Sequence, residues 1–302
     1  MKPTTGNAQL RDDARLHYHI YNNSLSTQLI VCHHGYQSSS KAWIDVAPLL
    51  CNGDHTVLLF DTRGAGESSD SPRSHMNFAS FAQDVVNLVD YLWPGASRSF
   101  CFAGISMGCM VGIELCRAAP KRVKQLILVA PGPLQTGVRA GQEWHDEESE
   151  DRRRCRNEPK YFDKEIDKYL VGNPRIKTTL ANVTEKERHR ATEYLNVCLN
   201  CSENHFHFMW EAMCNYRISA ESLASIAAAH GVLLVAGGAD DLLKDNMRDF
   251  IPMRKNCSLH VLPRVGHQVC RQVPKELSLS MLDFLQNGVV TSRTLNERRA
   301  CL

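Results

Sequence analysis

Apolar residues along this chain follow two alternating rhythms. Short runs rich in β-branched and other apolar side chains occur at residues 28–33 (Q-L-I-V-C-H), 55–60 (H-T-V-L-L-F), 99–103 (S-F-C-F-A), 123–130 (V-K-Q-L-I-L-V-A), 231–236 (G-V-L-L-V-A) and 258–262 (S-L-H-V-L). Each has the length of a strand buried on both faces, and each is expected to be one. Between several of them the spacing becomes helical. Phe81, Val85, Leu88, Val89 and Leu92 share one face of a helix expected over about 78–93, and similar patterns cover 107–119, 246–255 and 275–286. This alternation predicts an α/β fold with a mostly parallel central sheet and helices on both faces.

One long stretch departs from that rhythm. From about 132 to 229 no strand pattern is present and the chain turns polar and helical. Its charge run, E-W-H-D-E-E-S-E-D-R-R-R-C-R at 143–156, is expected to be a solvated surface. Further on, Phe206, Met209, Trp210 and Met213 share one helical face. A helical insertion over the open end of a sheet turns its apolar face inward, so these four are candidate substrate-binding residues. The expected organisation is a core built from 1–131 and 230–302 with a helical cap over 132–229.

Composition narrows the function. The 302 residues are 43% hydrophobic and 23% charged, as in an ordinary globular protein. A formal net charge of +2 gives no electrostatic case for nucleic acid or an anionic membrane as partner. No run approaches the roughly 20 apolar residues of a spanning helix. The start, M-K-P-T-T-G-N-A-Q-L-R-D-D, lacks an apolar stretch of signal-peptide length, so a cytosolic location is expected. The 12 cysteines lie mostly within apparent strands and helices and are expected to be reduced. Cys198 and Cys201 form a C-x-x-C with no second pair at zinc spacing, and Cys301 is too near the end for a prenylation box.

Candidate chemistry begins at Gly104-Ile-Ser-Met-Gly108. Ser106 follows an expected strand and opens an expected helix, the context in which G-x-S-x-G forms a nucleophile elbow. A tight strand-to-helix turn strains the serine backbone and demands small neighbours, supplied by Gly104 and Gly108. Gly112 would let the helix approach the sheet. The helix N-terminus aims the Met107 N–H at any oxyanion formed on Ser106. A serine hydroxyl needs a base. Among 13 histidines, His267 stands in the loop P-R-V-G-H after the last strand, on the same sheet edge as the elbow. His33, His34, His205 and His207 lie too early in the chain or within the insertion. The histidine needs a carboxylate, and the strand at 231–236 runs into G-G-A-D-D. Asp240 and Asp241 point in opposite directions on an extended chain, so only one can face His267. Gly237 resembles the strand-ending glycine that precedes such an acid by three residues, which favours Asp240, with Asp241 the alternative.

Five motifs in order carry a resemblance: H-H-G-Y-Q, D-T-R-G-A-G-E-S-S, G-I-S-M-G, G-G-A-D-D and V-G-H. The chain resembles α/β-hydrolase fold enzymes of the serine-nucleophile type over roughly 15–131 and 230–288. The resemblance implies that Tyr36 supplies the second oxyanion N–H, and that Asp61–Ser68 is architectural, with an internal Arg63 contact. It implies acyl transfer to water on a small apolar or aromatic ester or lactone, with no metal or organic cofactor. A carbon-carbon bond hydrolase, an acyltransferase and a non-enzymatic ligand receptor share the fold and stay open. Many similar enzymes carry a proline just beyond the acid, where this chain has L-L-K-D.

Overall fold

The computed structural model describes residues 2–22, 28–52, 55–95, 98–132, 142–171, 183–240 and 247–290. One eight-stranded sheet contains β1 (Thr4–Gln9), β2 (Arg15–Tyr21), β3 (Leu29–His33), β4 (Thr56–Phe60), β5 (Phe100–Ile105), β6 (Val123–Val129), β7 (Gly231–Gly237) and β8 (Cys257–Leu262), in the order β1-β2-β4-β3-β5-β6-β7-β8. The pairs β1–β2 and β2–β4 are antiparallel; the rest are parallel. The helices are α1 (Ala47–Asn52), α2 (Phe78–Leu92), α3 (Met107–Ala118), α4 (Gln142–Asn157), α5 (Pro159–Val171), α6 (Glu185–Leu199), α7 (Glu203–Asn215) and α8 (Ala220–Ala229). A short turn at Val269–Gln272 precedes the last helix, Pro274–Asn287.

The six expected strands are β3 to β8; in β3 to β7 the near-continuous apolar character follows from burial on both faces, whereas β8, at the far edge of the sheet, leaves Leu259 and Val261 exposed instead of burying both faces as expected. Alternate side chains serve opposite layers. Val31, Leu58, Phe60, Phe102 and Leu128 join the layer of α2, α3 and α8, whereas Ile30, Leu59, Ala103, Ile127 and Leu233 join the layer of α1 and the last helix. Helix α2 begins where Asn77 accepts a hydrogen bond from the Ser80 N–H, a side-chain cap for an orphan donor.

Two features differ from the hydrophobic pattern. Strands β1 and β2 carry no apolar run: β1 reads T-T-G-N-A-Q, and only Ala8 of it is buried, because it forms the sheet edge. The helix expected over 246–255 is a 3-10 helix at Met247–Met253, with Pro252 inside it. Proline lacks an N–H and clashes with the preceding turn, which works against continuation as an α-helix. Between β6 and β7 the described chain is helical. Helix α8 returns to the core through Leu223, Ile226 and Ala227, while Ile166, Leu170 and Ala191 of α5 and α6 form a small cluster of their own.

The Asp61–Ser68 segment is held by buried charge. Arg63 donates from Nε and Nη2 to both carboxylate oxygens of Asp84 on α2, each at 2.6 Å, and pairs through Nη1 with Asp12 at 2.6 Å. Asp61 accepts from the backbone N–H groups of Ser40 and Glu67 at 2.6 and 2.9 Å. Arg63 therefore ties the β1–β2 turn to α2 below the sheet edge. Removing one member of such a pair leaves a buried charge undercompensated, so Asp84→Ala should lose about 3 kcal/mol or more of stability in denaturant unfolding. An unchanged denaturation midpoint would show that the pair adds nothing.

Candidate active site

The site is assembled from loops at the carboxyl ends of β3, β5, β7 and β8. Ser106 ends β5 and caps α3 with φ 54° and ψ −115°, a conformation costly for a residue with a Cβ. The turn closes because nothing projects from its neighbours. A Cβ on Gly104 would lie 2.3 Å from the Gly108 carbonyl oxygen, and one on Gly108 would lie 2.8 Å from the carbonyl oxygens of His33 and His34. The same intimacy brings the segment after β3 close: a Cβ on Gly35 would lie 3.3 Å from Ser106 Cβ.

The structure brings Ser106, His267 and Asp240 together. His267 Nε2 lies 2.9 Å from Ser106 Oγ, and His267 Nδ1 lies 2.8 Å from Asp240 Oδ2. An ionised carboxylate only accepts, so Nδ1 carries the proton and Nε2 is left to accept from the serine hydroxyl. Asp240 is buried, and its N–H bonds the Gly237 carbonyl at 3.0 Å. Asp241 lies outside the described residues.

Met107 is the first residue of α3 and Tyr36 follows Gly35, so both suggested oxyanion donors flank Ser106. His34 adds a constraint. Its Nε2 accepts from the Thr62 N–H at 3.0 Å, so its Nδ1 must carry the proton that it donates to the Gly35 carbonyl at 2.8 Å. The peptide between Gly35 and Tyr36 is planar and trans, so anchoring its carbonyl also sets the direction of the Tyr36 N–H.

Beside this segment, Phe206, Met209, Trp210 and Met213 of α7 are all buried. Met209, Trp210 and Met213 belong to the same apolar cluster as Met107 and Met110. The Tyr36 hydroxyl donates to the Phe206 carbonyl at 2.6 Å, and its ring lies 5.9 Å from that of Phe206 and 6.2 Å from that of Trp210.

The charge run on α4 is not uniformly solvated. His145 and Arg152, seven residues apart on one face, are buried, and Glu148 between them is partly buried. Arg152 Nη1 donates to the Cys198 carbonyl at 2.6 Å and Nη2 to the Cys201 carbonyl at 2.9 Å, so the C-x-x-C segment serves as an acceptor for an arginine. The spacing of 145, 148 and 152 was a visible helical signal, hidden by the charge of its members. Gln268 Nε2, beside His267, donates to Tyr194 Oη of α6 at 3.0 Å.

The remaining histidines differ in environment. His207 is exposed and lies 3.4 Å from Glu203. His33, His34 and His205 are buried, and burial pushes each pKa down.

Known proteins share this architecture. The family model for the alpha/beta hydrolase fold matches residues 28–193. A candidate carbamate hydrolase, RutD of Variovorax paradoxus, is 25% identical over 280 residues, spanning 89% of this chain and 96% of its own. The enol-lactonase from Burkholderia xenovorans superposes with a TM-score of 0.71 at 18% identity, covering 93% of this chain and 100% of that one. A thermophilic esterase from Thermogutta terrifontis has a TM-score of 0.71 at 18% identity, covering 94% and 99%. At these identities the two structures speak to the fold alone.

Burial at the site has a measurable consequence. His205 is pushed down to about 3 by burial, with neighbouring His34 and Arg152 acting in the same direction, against its bond to the Arg63 carbonyl and the nearby Asp70. It stays neutral in the folded state while the unfolded chain binds a proton below the ordinary value of 6.5. Its contribution is therefore present above about pH 6.5 and is lost as pH falls toward 3. His205→Gln, which keeps a donor for the Arg63 carbonyl, should flatten the pH dependence of the denaturation midpoint over that window. Parallel curves for the two proteins would remove His205 as a source of acid lability.

Proposed function

Because the chain belongs to the alpha/beta hydrolase fold family, a family of hydrolases, we propose that it cleaves a carboxylic ester or lactone through an acyl-enzyme on Ser106. The observation that carries this reading is the unbroken run Asp240 Oδ2, His267 Nδ1, His267 Nε2, Ser106 Oγ, with links of 2.8 and 2.9 Å, set on a strained strand-to-helix turn. Ser106 attacks the carbonyl while His267 takes its proton, and Asp240 stabilises the imidazolium. The N–H groups of Met107 and Tyr36 stabilise the oxyanion. His267 then protonates the leaving alcohol, takes a proton from water and completes hydrolysis of the acyl group. No step requires a metal or organic cofactor. A carbamate, the substrate class in the name of RutD, presents the same kind of carbonyl to the same groups.

The helices at 132–229 serve in this reading as a cap. Phe206, Met209, Trp210 and Met213 give it an apolar, aromatic face suited to a small apolar or aromatic acyl or alcohol group.

A fluorophosphonate should add mass at Ser106 in the native protein and not in Ser106→Ala. Asp240→Asn should lower kcat by about three to four orders of magnitude against a p-nitrophenyl ester, a lactone or an aryl carbamate, whichever is turned over. Equal labelling of Ser106→Ala would overturn the nucleophile. A mild Asp240→Asn beside a crippling Asp241→Asn would move the acid by one residue.

Trp210→Ala should change the kcat/KM ratio between a small and a bulky substrate by about 10-fold, since one apolar contact discriminates by roughly 1–3 kcal/mol. A constant ratio would exclude Trp210 from the pocket.

A further inference from the structure

Gln37 occupies an unusual position. It follows Tyr36, is buried, and adopts φ 50°, a left-handed conformation that a glutamine does not favour by itself. Something outside the local chain must hold it there. Its amide is gripped at both ends by α4: Nε2 donates to Glu148 Oε1 at 3.3 Å, and Oε1 accepts from Arg152 Nη1 at 3.3 Å. The orientation is chemically forced, because a carboxylate accepts and a guanidinium donates.

Arg152 is itself immobilised. Besides Gln37 it donates to the Cys198 and Cys201 carbonyls and to Glu203 at 3.2 Å, and its guanidinium lies 4.4 Å from the centre of the Phe206 ring. Phe206 in turn accepts from the Tyr36 hydroxyl through its carbonyl. The contacts close a circuit: Tyr36 to Phe206, Phe206 to Arg152, Arg152 to Gln37, and Gln37 back to Tyr36 along the chain. These links between Tyr36–Gln37 and the helices α4 and α7 pass through buried or partly buried groups.

We propose that Gln37, Arg152 and Glu148 are positioning residues that hold the Tyr36 N–H in place from the helical insertion. The insertion then contributes to the chemical step as well as to substrate choice. His34 anchors the peptide from the core side through the Gly35 carbonyl, and Gln37 anchors the following residue from the insertion side. The inference rests on reading Tyr36 as an oxyanion donor to Ser106.

The test uses Gln37→Leu, which keeps side-chain bulk and deletes both hydrogen bonds, with Glu148→Ala as a milder lesion. A chromogenic ester is the substrate, and a short-chain trifluoromethyl ketone, which forms a tetrahedral oxyanion adduct with a serine, is the analogue. Gln37→Leu should lower kcat about 10- to 100-fold, less than the full loss of an oxyanion donor, with KM within about twofold. Affinity for the trifluoromethyl ketone should fall in the same proportion. Glu148→Ala should move both quantities in the same direction by less, and Glu148→Gln, which keeps an accepting oxygen, should recover most of the loss.

A kcat loss with unchanged ketone affinity would overturn the proposal, as would wild-type kcat in both Gln37→Leu and Glu148→Ala. A loss explained by lowered Tm and raised KM would overturn it too. Fluorophosphonate labelling of Ser106 in the same variants separates this from the reading beneath it. Labelling retained with kcat unchanged refutes the positioning role alone, whereas native protein that fails to label refutes the nucleophile.

Discussion

The site depends on one steric constraint, the strained backbone of Ser106 where β5 turns into α3. A left-handed φ at a residue with a Cβ persists only when its surroundings over-determine it. Here they do so by proximity. Gly104 and Gly108 bring the two arms of the turn into contact, and Gly108 also lies against the carbonyls of His33 and His34. The turn that presents the hydroxyl is thus the contact that brings the end of β3 alongside it. Ser106 and the segment after β3 are fixed by a single packing event, and a side chain at Gly108 would separate them.

The segment after β3 is also fixed by polar contacts. His34, neutral through burial, spends one ring nitrogen on the Thr62 N–H and the other on the Gly35 carbonyl. Burying such groups is tolerable because each finds a partner, and satisfied networks rigidify what they touch. Thr62 neighbours Asp61 and Arg63, whose own partners lie near Ser40, on α2 and in the β1–β2 turn. The charge cluster at the sheet edge therefore supports the site two contacts away.

What could be read in the sequence and what could not divides along a physical line. Strands β3 to β7 were legible because burial on both faces forces continuous apolar runs, β8 because its run stays apolar although Leu259 and Val261 are exposed at the sheet edge, and Gly104, Ser106 and Gly108 because sterics leave few residues able to make that turn. Strand β1 was not, since an edge strand with one buried residue imposes no pattern, and neither was β2, where His17 and His19 interrupt the apolar positions. The 3-10 helix at 247–253 kept helical spacing while Pro252 altered its hydrogen bonding. Arg152 and Glu148 were hidden for a different reason. Charged residues signal a solvated surface unless a partner is known, and their partners Gln37, Cys198 and Cys201 lie far away in the chain.

Strand order explains why Asp240 and His267 need the loops they have. Neighbouring strands lie about 4.8 Å apart, so the end of β8 stands about 14 Å from the end of β5, too far for a histidine to reach directly. The chain after β8 must fold back across the end of β7 before His267 can meet Ser106. It does so over Gly237, where a Cβ would lie 2.4 Å from the carbonyl oxygens of both Val265 and Gly266. The crossing is secured by the Ala239 N–H donating to the Val265 carbonyl at 2.9 Å and the Gly238 N–H to the Leu262 carbonyl at 2.8 Å. Asp240 follows one residue later, so the loop that carries Asp240 is hydrogen-bonded to the loop that carries His267 before their side chains meet. The 2.8 Å contact between Asp240 and His267 is in this sense the last of a series of backbone contacts, and a single small residue at the end of β7 is what lets the series begin.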